Sequence, residues 1–186
     1  MGIGRFIYKS LGLIFPILYL YFNKIFVLIL ILIILACFIL IDKLRMSNKK
    51  VNRFLLKKFH FVFKEKERKS PMTARWSLLG SFLAILFFSK EIAIVSIFMF
   101  VIGDAAGNIF GKKFRKIRMY DKSLEGHFFV FIFSFFVGFL IGNFLGLGLF
   151  KIFIGALATT FIQALPIKID DNLTMPLAAG IAMSLL

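Results

Sequence analysis

Seven apolar blocks divide the chain, at residues 3–22, 25–41, 76–88, 92–110, 127–144, 147–165 and 173–186. Each is read as a membrane span. At about 1.5 Å per residue, the third and seventh are short for a hydrocarbon core of ~30 Å. The third can extend back through Met72, and the seventh can be half-buried or packed on its neighbours. Arg5, Lys9, Ser10, Pro16, Asn23 and Lys24 interrupt the first two blocks. Together they are too long for a signal peptide, and no small-residue cleavage site follows, so both are expected to stay in the membrane.

The polar connections are unequal. Lys43 to Arg75 holds twelve Lys/Arg against two Glu, and Gly111 to Gly126 holds six against Asp121 and Glu125. The connections on the other side carry only Lys24 and the Lys90–Glu91 pair. Basic loops stay in the cytoplasm. The expected fold is therefore all-α: a polytopic helical membrane protein of about seven transmembrane helices, with a cytoplasmic amino terminus. Within the basic segment 42–75, Val51, Phe54, Leu55, Phe59, Val62 and Phe63 recur at three- and four-residue steps. Arg53, Lys57, Lys58 and Lys64 lie between them, which describes a basic amphipathic helix in the headgroup plane.

Composition supports lipid as the solvent. The chain is 60% hydrophobic with 27 Phe among 186 residues, against ~45–50% apolar for a soluble domain. The net charge of +15 sits in loops between spans, so the expected partner is the anionic lipid headgroup and not nucleic acid. Cys37 is the only cysteine, which excludes an intramolecular disulfide and a cysteine metal site. Neither a second domain nor an internal repeat is present in residues 1–186.

Three clusters carry candidate chemistry. Gly103, Gly107 and Gly111 form a smooth helix face that serves packing within one chain or between copies in a homo-oligomer. Asp104 interrupts that apolar span. A carboxylate there costs roughly 2.5–3.5 kcal/mol on insertion scales and needs a polar surrounding. Asn108 lies one turn on, and together the two offer hard oxygen ligands suited to Mg²⁺. The second cluster is Lys122-Ser123-Leu124-Glu125-Gly126, with Lys112, Lys113, Arg115, Lys116 and Arg118 nearby. Lysine is a point charge for phosphate, serine a donor or ligand, glutamate a ligand or a partner for the lysine, and Gly126 allows close approach. The third is Asp170-Asp171-Asn172, where Asp171 and Thr174 have the spacing of a helix cap and Asp171 could serve as base or ligand. His60 and His127 are far apart and read as interfacial. All three clusters sit at cytoplasmic span ends, as a Mg²⁺-bound nucleoside triphosphate would require. There is no GxxxxGK[ST] loop.

The runs GDAAGNIFGKKFRK, KSLEG and DNLTMPL, in that order, resemble the CTP-dependent lipid-alcohol kinases. That family includes dolichol and polyprenol kinases, phytol and farnesol kinases, and CTP-dependent diacylglycerol kinases. The resemblance covers Asp42 to the carboxyl end. Asp42 and Arg45 look like its D-x-x-R, while Arg115 stands where a glycine is common. A distant similarity extends to phosphatidate cytidylyltransferases, whose later GD-x-x-ES signature is replaced here by DNLTMPL.

The resemblance implies transfer of the γ-phosphoryl group of CTP to a membrane lipid alcohol, at a site on the cytoplasmic face. Asp104 and Asn108 would hold Mg²⁺. Lys122 and Ser123 would contact phosphates, with Glu125 orienting Lys122 or the metal, and Gly126 at the turn. Asp171 would be metal ligand or base, supported by Asn172. The alternatives are CDP-lipid synthesis and a non-enzymatic transporter or scaffold.

Overall fold

A computed structural model describes residues 11–58, 70, 72–114, 116–119 and 122–186. Among them the chain is all-helical apart from one two-stranded ladder. A 3₁₀ turn, Leu11–Leu13, leads into α1 (Ile14–Tyr21), followed by α2 (Lys24–Ser47) and α3 (Lys49–Lys58). Next come α4 (Ala74–Phe87) and α5 (Lys90–Lys113). Strands β1 (Arg118–Met119) and β2 (Lys122–Ser123) pair antiparallel, with Arg118 opposite Ser123 and Met119 opposite Lys122. The chain ends with α6 (Leu124–Phe144), α7 (Leu149–Ala164) and α8 (Asp171–Ser184).

Among the described residues three helices are long and apolar enough to cross a membrane: α2, α5 and α6. They play different parts. The most apolar stretch of α5 is 83% buried inside the protein, against 17% for α2 and 28% for α6. Helix α5 is thus the central post, touching α1, α4, α6, α7 and α8. The others turn Ile, Leu and Phe outward, as Ile29, Ile33, Leu40, Phe128 and Phe136 show. An outer surface this apolar matches a lipid surround. Helices α4 and α7 are shorter apolar helices, of 14 and 16 residues.

The expected glycine face packs within the chain, on α6. A Cβ on Gly107 would lie 2.4 Å from Val130 Cγ2, and one on Gly111 would lie 2.8 Å from Gly126 Cα. Only hydrogen at those positions lets the two backbones approach so closely. Ser134 of α6 donates to the Met99 carbonyl of α5 at 3.0 Å, tying the pair further down.

At the end away from the basic loops, two lysines close the helix turns. Lys24 Nζ donates to the Leu86 carbonyl in the last turn of α4, at 2.8 Å. Lys90 Nζ donates to the Leu20 carbonyl in the last turn of α1, at 3.0 Å. Each meets carbonyls that a helix C-terminus leaves without partners.

The second span outlasts its apolar block. It was expected to stop at Ile41, yet α2 runs to Ser47 because Asp42 and Arg45 pair inside it. Arg45 Nη2 lies 2.7 Å from Asp42 Oδ1 and also donates to the Ser70 carbonyl, while Asp42 Oδ2 accepts from the Met72 backbone N–H. Both side chains are almost fully buried. They fasten the chain entering α4 to the end of α2. Helix α3 presents Val51 and Phe54 to the outside, as its amphipathic pattern requires. The rest of that expected helix, from Phe59 on, lies outside the described residues.

Helix α8 buries Asn172, Met175, Pro176, Ala179, Gly180 and Met183, a single stripe at helical spacing. Pro176 has no N–H for the Asn172 carbonyl four residues back. That carbonyl lies against Gly80 of α4, where a Cβ would approach it to 2.6 Å.

Candidate active site

The loop end of α5 carries Asp104, Gly107, Asn108, Gly111 and Lys112 on one face. Asp104 is 6% exposed. Asn108 Nδ2 donates both to the Asp104 carbonyl, at 2.6 Å, and to its Oδ1, at 2.7 Å. The buried carboxylate therefore has the partner its position demanded.

The two-residue ladder brings Lys122 and Ser123 back over that end. Ser123 is the N-cap of α6: its Oγ accepts from the Gly126 N–H at 3.1 Å and donates to the Gly111 carbonyl at 3.0 Å. Its hydroxyl proton is thus used in joining α6 to α5. Glu125 was expected to orient Lys122 or the metal. Instead its Oε1 accepts the backbone N–H groups of Lys116 and Ile117, both at 3.1 Å, which folds the connecting loop onto the start of α6. Those donors favour the charged carboxylate.

Asp171 is what holds Lys122. Lys122 Nζ lies 2.5 Å from Asp171 Oδ2 and donates to the Gln163 carbonyl at 2.8 Å. The pair is partly open to solvent, with side chains 36% and 32% exposed. Asp171 has this freedom because the cap of α8 is the preceding residue. Asp170 Oδ1 accepts from the Asn172 N–H at 3.1 Å and from Asn172 Nδ2 at 2.5 Å. The expected Asp171 cap is thereby corrected by one position. Asn172 is buried against that cap and supports the turn that aims Asp171.

A cleft of about 120 Å³ opens between α5, α6 and α7. Asn108, Lys122, Ser123 and Gly126 line it, together with Gly107, Gly111, Lys112, His127 and Gln163. Four of the eight candidate residues are therefore on its wall. Asp104 and Asp171 stand directly behind Asn108 and Lys122, each one hydrogen bond away. Glu125 and Asn172 shape the turns on either side.

His127 and Gln163 were not singled out as site residues from the sequence. His127 is not interfacial: it is buried, with Nδ1 3.1 Å from Gln163 Oε1. The signal was available, since Gln163 is a polar residue within an apolar helix, the same argument that picked out Asp104.

Among the described residues no group of three His, Cys, Asp or Glu side chains is placed to hold a metal. Mg²⁺ needs less, because one or two carboxylates plus substrate phosphates commonly suffice. The Asp104 carboxylate with the Asn108 amide provides hard oxygen chemistry beside a lysine-lined cleft, so the residues present fit that ion. Away from the lining residues of the cleft, Phe110 of α5 stacks on Phe129 and Phe133 of α6 at centroid separations of 4.6 and 5.4 Å, a further tie between the two helices.

No protein-family model matches the chain, and no solved structure matches it. It is similar to an uncharacterized protein of Rickettsia prowazekii, 28% identical over 182 residues that cover 94% of this chain and 89% of the relative.

Proposed function

We propose that this protein is a CTP-dependent kinase that transfers the γ-phosphoryl group to the hydroxyl of a membrane lipid alcohol, of the polyprenol, dolichol or diacylglycerol class. The observation that carries the reading is the convergence on one cleft of Asn108, Lys122 and, through Lys122, Asp171, which are far apart in sequence. Those are the stretches whose order resembles the lipid-alcohol kinases. Phosphoryl transfer depends mostly on positioning and charge neutralisation, and the cleft supplies fixed cations. Lys122 is oriented by Asp171 and the Gln163 carbonyl toward a phosphate, and Lys112 adds positive charge on the opposite wall. Asp104 and Asn108 would hold Mg²⁺, which neutralises triphosphate charge when bound. The apolar outer surface of the helices suits the hydrocarbon part of the acceptor.

The reading includes the full topology: about seven spans, basic loops and amino terminus in the cytoplasm, and the cleft on that face. It is supported by the lysine asymmetry, since Lys24 and Lys90 cap helix ends away from the cleft. CTP is water-soluble and the acceptor is not, so they meet only at the membrane surface.

The test uses purified protein with CTP labelled at the γ- or α-phosphate and a panel of dolichol, short isoprenols and diacylglycerol. Transfer of γ label to lipid is expected, and Asp104→Asn is expected to abolish it. Transfer of α label to phosphatidate added to the panel would instead identify CDP-lipid synthesis, with diphosphate as the leaving group. Absence of any transfer, or near-normal transfer by Asp104→Asn, refutes the reading.

A further inference from the structure

The buried polar groups of the site are almost all accounted for: Asp104 by Asn108, Ser123 by Gly111 and Gly126, Lys122 by Asp171 and Gln163. Among the described residues two buried atoms there are left without a partner, Oε2 of Glu125 in the turn and Nε2 of His127, and of the two residues it is His127 that lines the cleft. His127 is 6% exposed, and its Nε2 is a buried nitrogen with no hydrogen-bond partner. A buried polar atom left unpaired costs ~1–3 kcal/mol, and native structures keep such atoms for a reason.

The other ring nitrogen says what kind of atom Nε2 is. Nδ1 faces the side-chain oxygen of Gln163 at 3.1 Å. An amide oxygen only accepts, so Nδ1 is the donor of this pair, and in the neutral ring that tautomer leaves the lone pair on Nε2. The charged groups around the ring are Lys122 on β2, Asp171 on α8 and Lys112 on α5. Lys122 is paired with Asp171 and so does not need the histidine.

An acceptor nitrogen does not bind a phosphate oxygen, which is also an acceptor. It does bind an O–H. We propose that His127 Nε2 receives the hydroxyl of the acceptor alcohol and orients its oxygen toward the phosphate held by Lys122. The inference rests on the phosphoryl-transfer reading and deepens it: the lysines take the donor, and His127 takes the acceptor.

Two substitutions separate this role from a structural one. The amide of Asn sits near the place of Nδ1, and the amide of Gln near that of Nε2. If His127 only braces Gln163, His127→Asn keeps function and His127→Gln loses it. If Nε2 binds the hydroxyl, the order reverses. His127→Asn should lower kcat/KM for the alcohol by about tenfold or more, the scale of one lost hydrogen bond to substrate. His127→Gln should stay within about threefold of the parent, and KM for CTP should be unchanged in both. Thermal melts of both variants identify any that fail to fold, and kinetics are compared on folded protein. If His127→Asn matches the parent, or if KM for CTP rises in step with that for the alcohol, the assignment to the acceptor is overturned. If the parent chain itself transfers no label to any alcohol, the phosphoryl-transfer reading falls and takes this role with it. A parent that is active with unaffected variants sinks His127 alone.

Discussion

Replacing Lys122 with Met separates fold from function at this site. The ammonium has two acceptors, the Asp171 carboxylate at 2.5 Å and the Gln163 carbonyl at 2.8 Å. Both members of the ion pair are about a third exposed, at 36% and 32%. Water screens such a pair, which is then worth ~0–1 kcal/mol. The bond to the carbonyl adds about another 1 kcal/mol. Met keeps most of the bulk of the side chain, and Asp171 left alone can still reach solvent. The expected loss is ~1–2 kcal/mol, a fall in melting temperature of about 2–8 °C for a chain this size. Turnover should respond on a larger scale. Removing one preorganised group that stabilises transition-state charge costs ~10²–10³ in rate. Thermal melting in detergent and transfer of γ label from CTP, read on the same preparation, give the two numbers. The exchange Lys122→Asp with Asp171→Lys sharpens the test. It should restore part of the melting temperature, because the pair can re-form, but not the activity, because the cation has moved. A Lys122→Met variant that keeps activity within about fivefold of the parent, or a charge exchange that restores both readouts, would refute the reasoning.

Three further outcomes follow from the packing. Arg45→Met should lower stability by ~3–5 kcal/mol, because it leaves the buried Asp42 without its cation, and adding Asp42→Leu should recover much of the loss in thermal melts. Gly107→Leu should cost at least ~1–3 kcal/mol by wedging α5 from α6, since a Cβ there already meets Val130 at 2.4 Å; Val130→Ala should partly rescue it. Phe54→Asp, on the exposed face of α3, should speed hydrogen exchange of the α3 backbone amides in protein reconstituted into anionic vesicles, and unchanged exchange would contradict the interfacial reading of that helix.

The apolar blocks made the long helices legible. Those at 25–41, 92–110 and 127–144 became α2, α5 and α6, because nothing competes with helix formation inside such runs. Their ends were misplaced where polar residues remain helical. Asp42 and Arg45 read as the start of a loop, but each supplies the charge that allows the other to be buried. Asp104 and Asn108 were visible because charge inside a span is costly and one helical turn fixes who meets whom. The Lys122–Asp171 pair was not, since it joins positions 49 apart and depends on how α8 is capped. Gln163 carried a signal of the same kind as Asp104, a polar residue in an apolar run, but its partner His127 emerges only when α6 and α7 are packed side by side.

Pro176 gives α8 an articulation. With no hydrogen bond returning from residue 176 to the Asn172 carbonyl, the first turn, which bears Asp170, Asp171 and Asn172, is joined to the rest of the helix by one link fewer. The stripe from Met175 to Met183 is anchored in the core. The Asn172 carbonyl left out of the helix ladder packs against Gly80 of α4, so the position of that turn, and of the Asp171 that holds Lys122, is set by α4 as well as by α8. If the cleft binds phosphate as proposed, its grip would then depend on how closely α4 packs on the first turn of α8, and a change at Gly80 would be felt at Lys122 without touching the cleft.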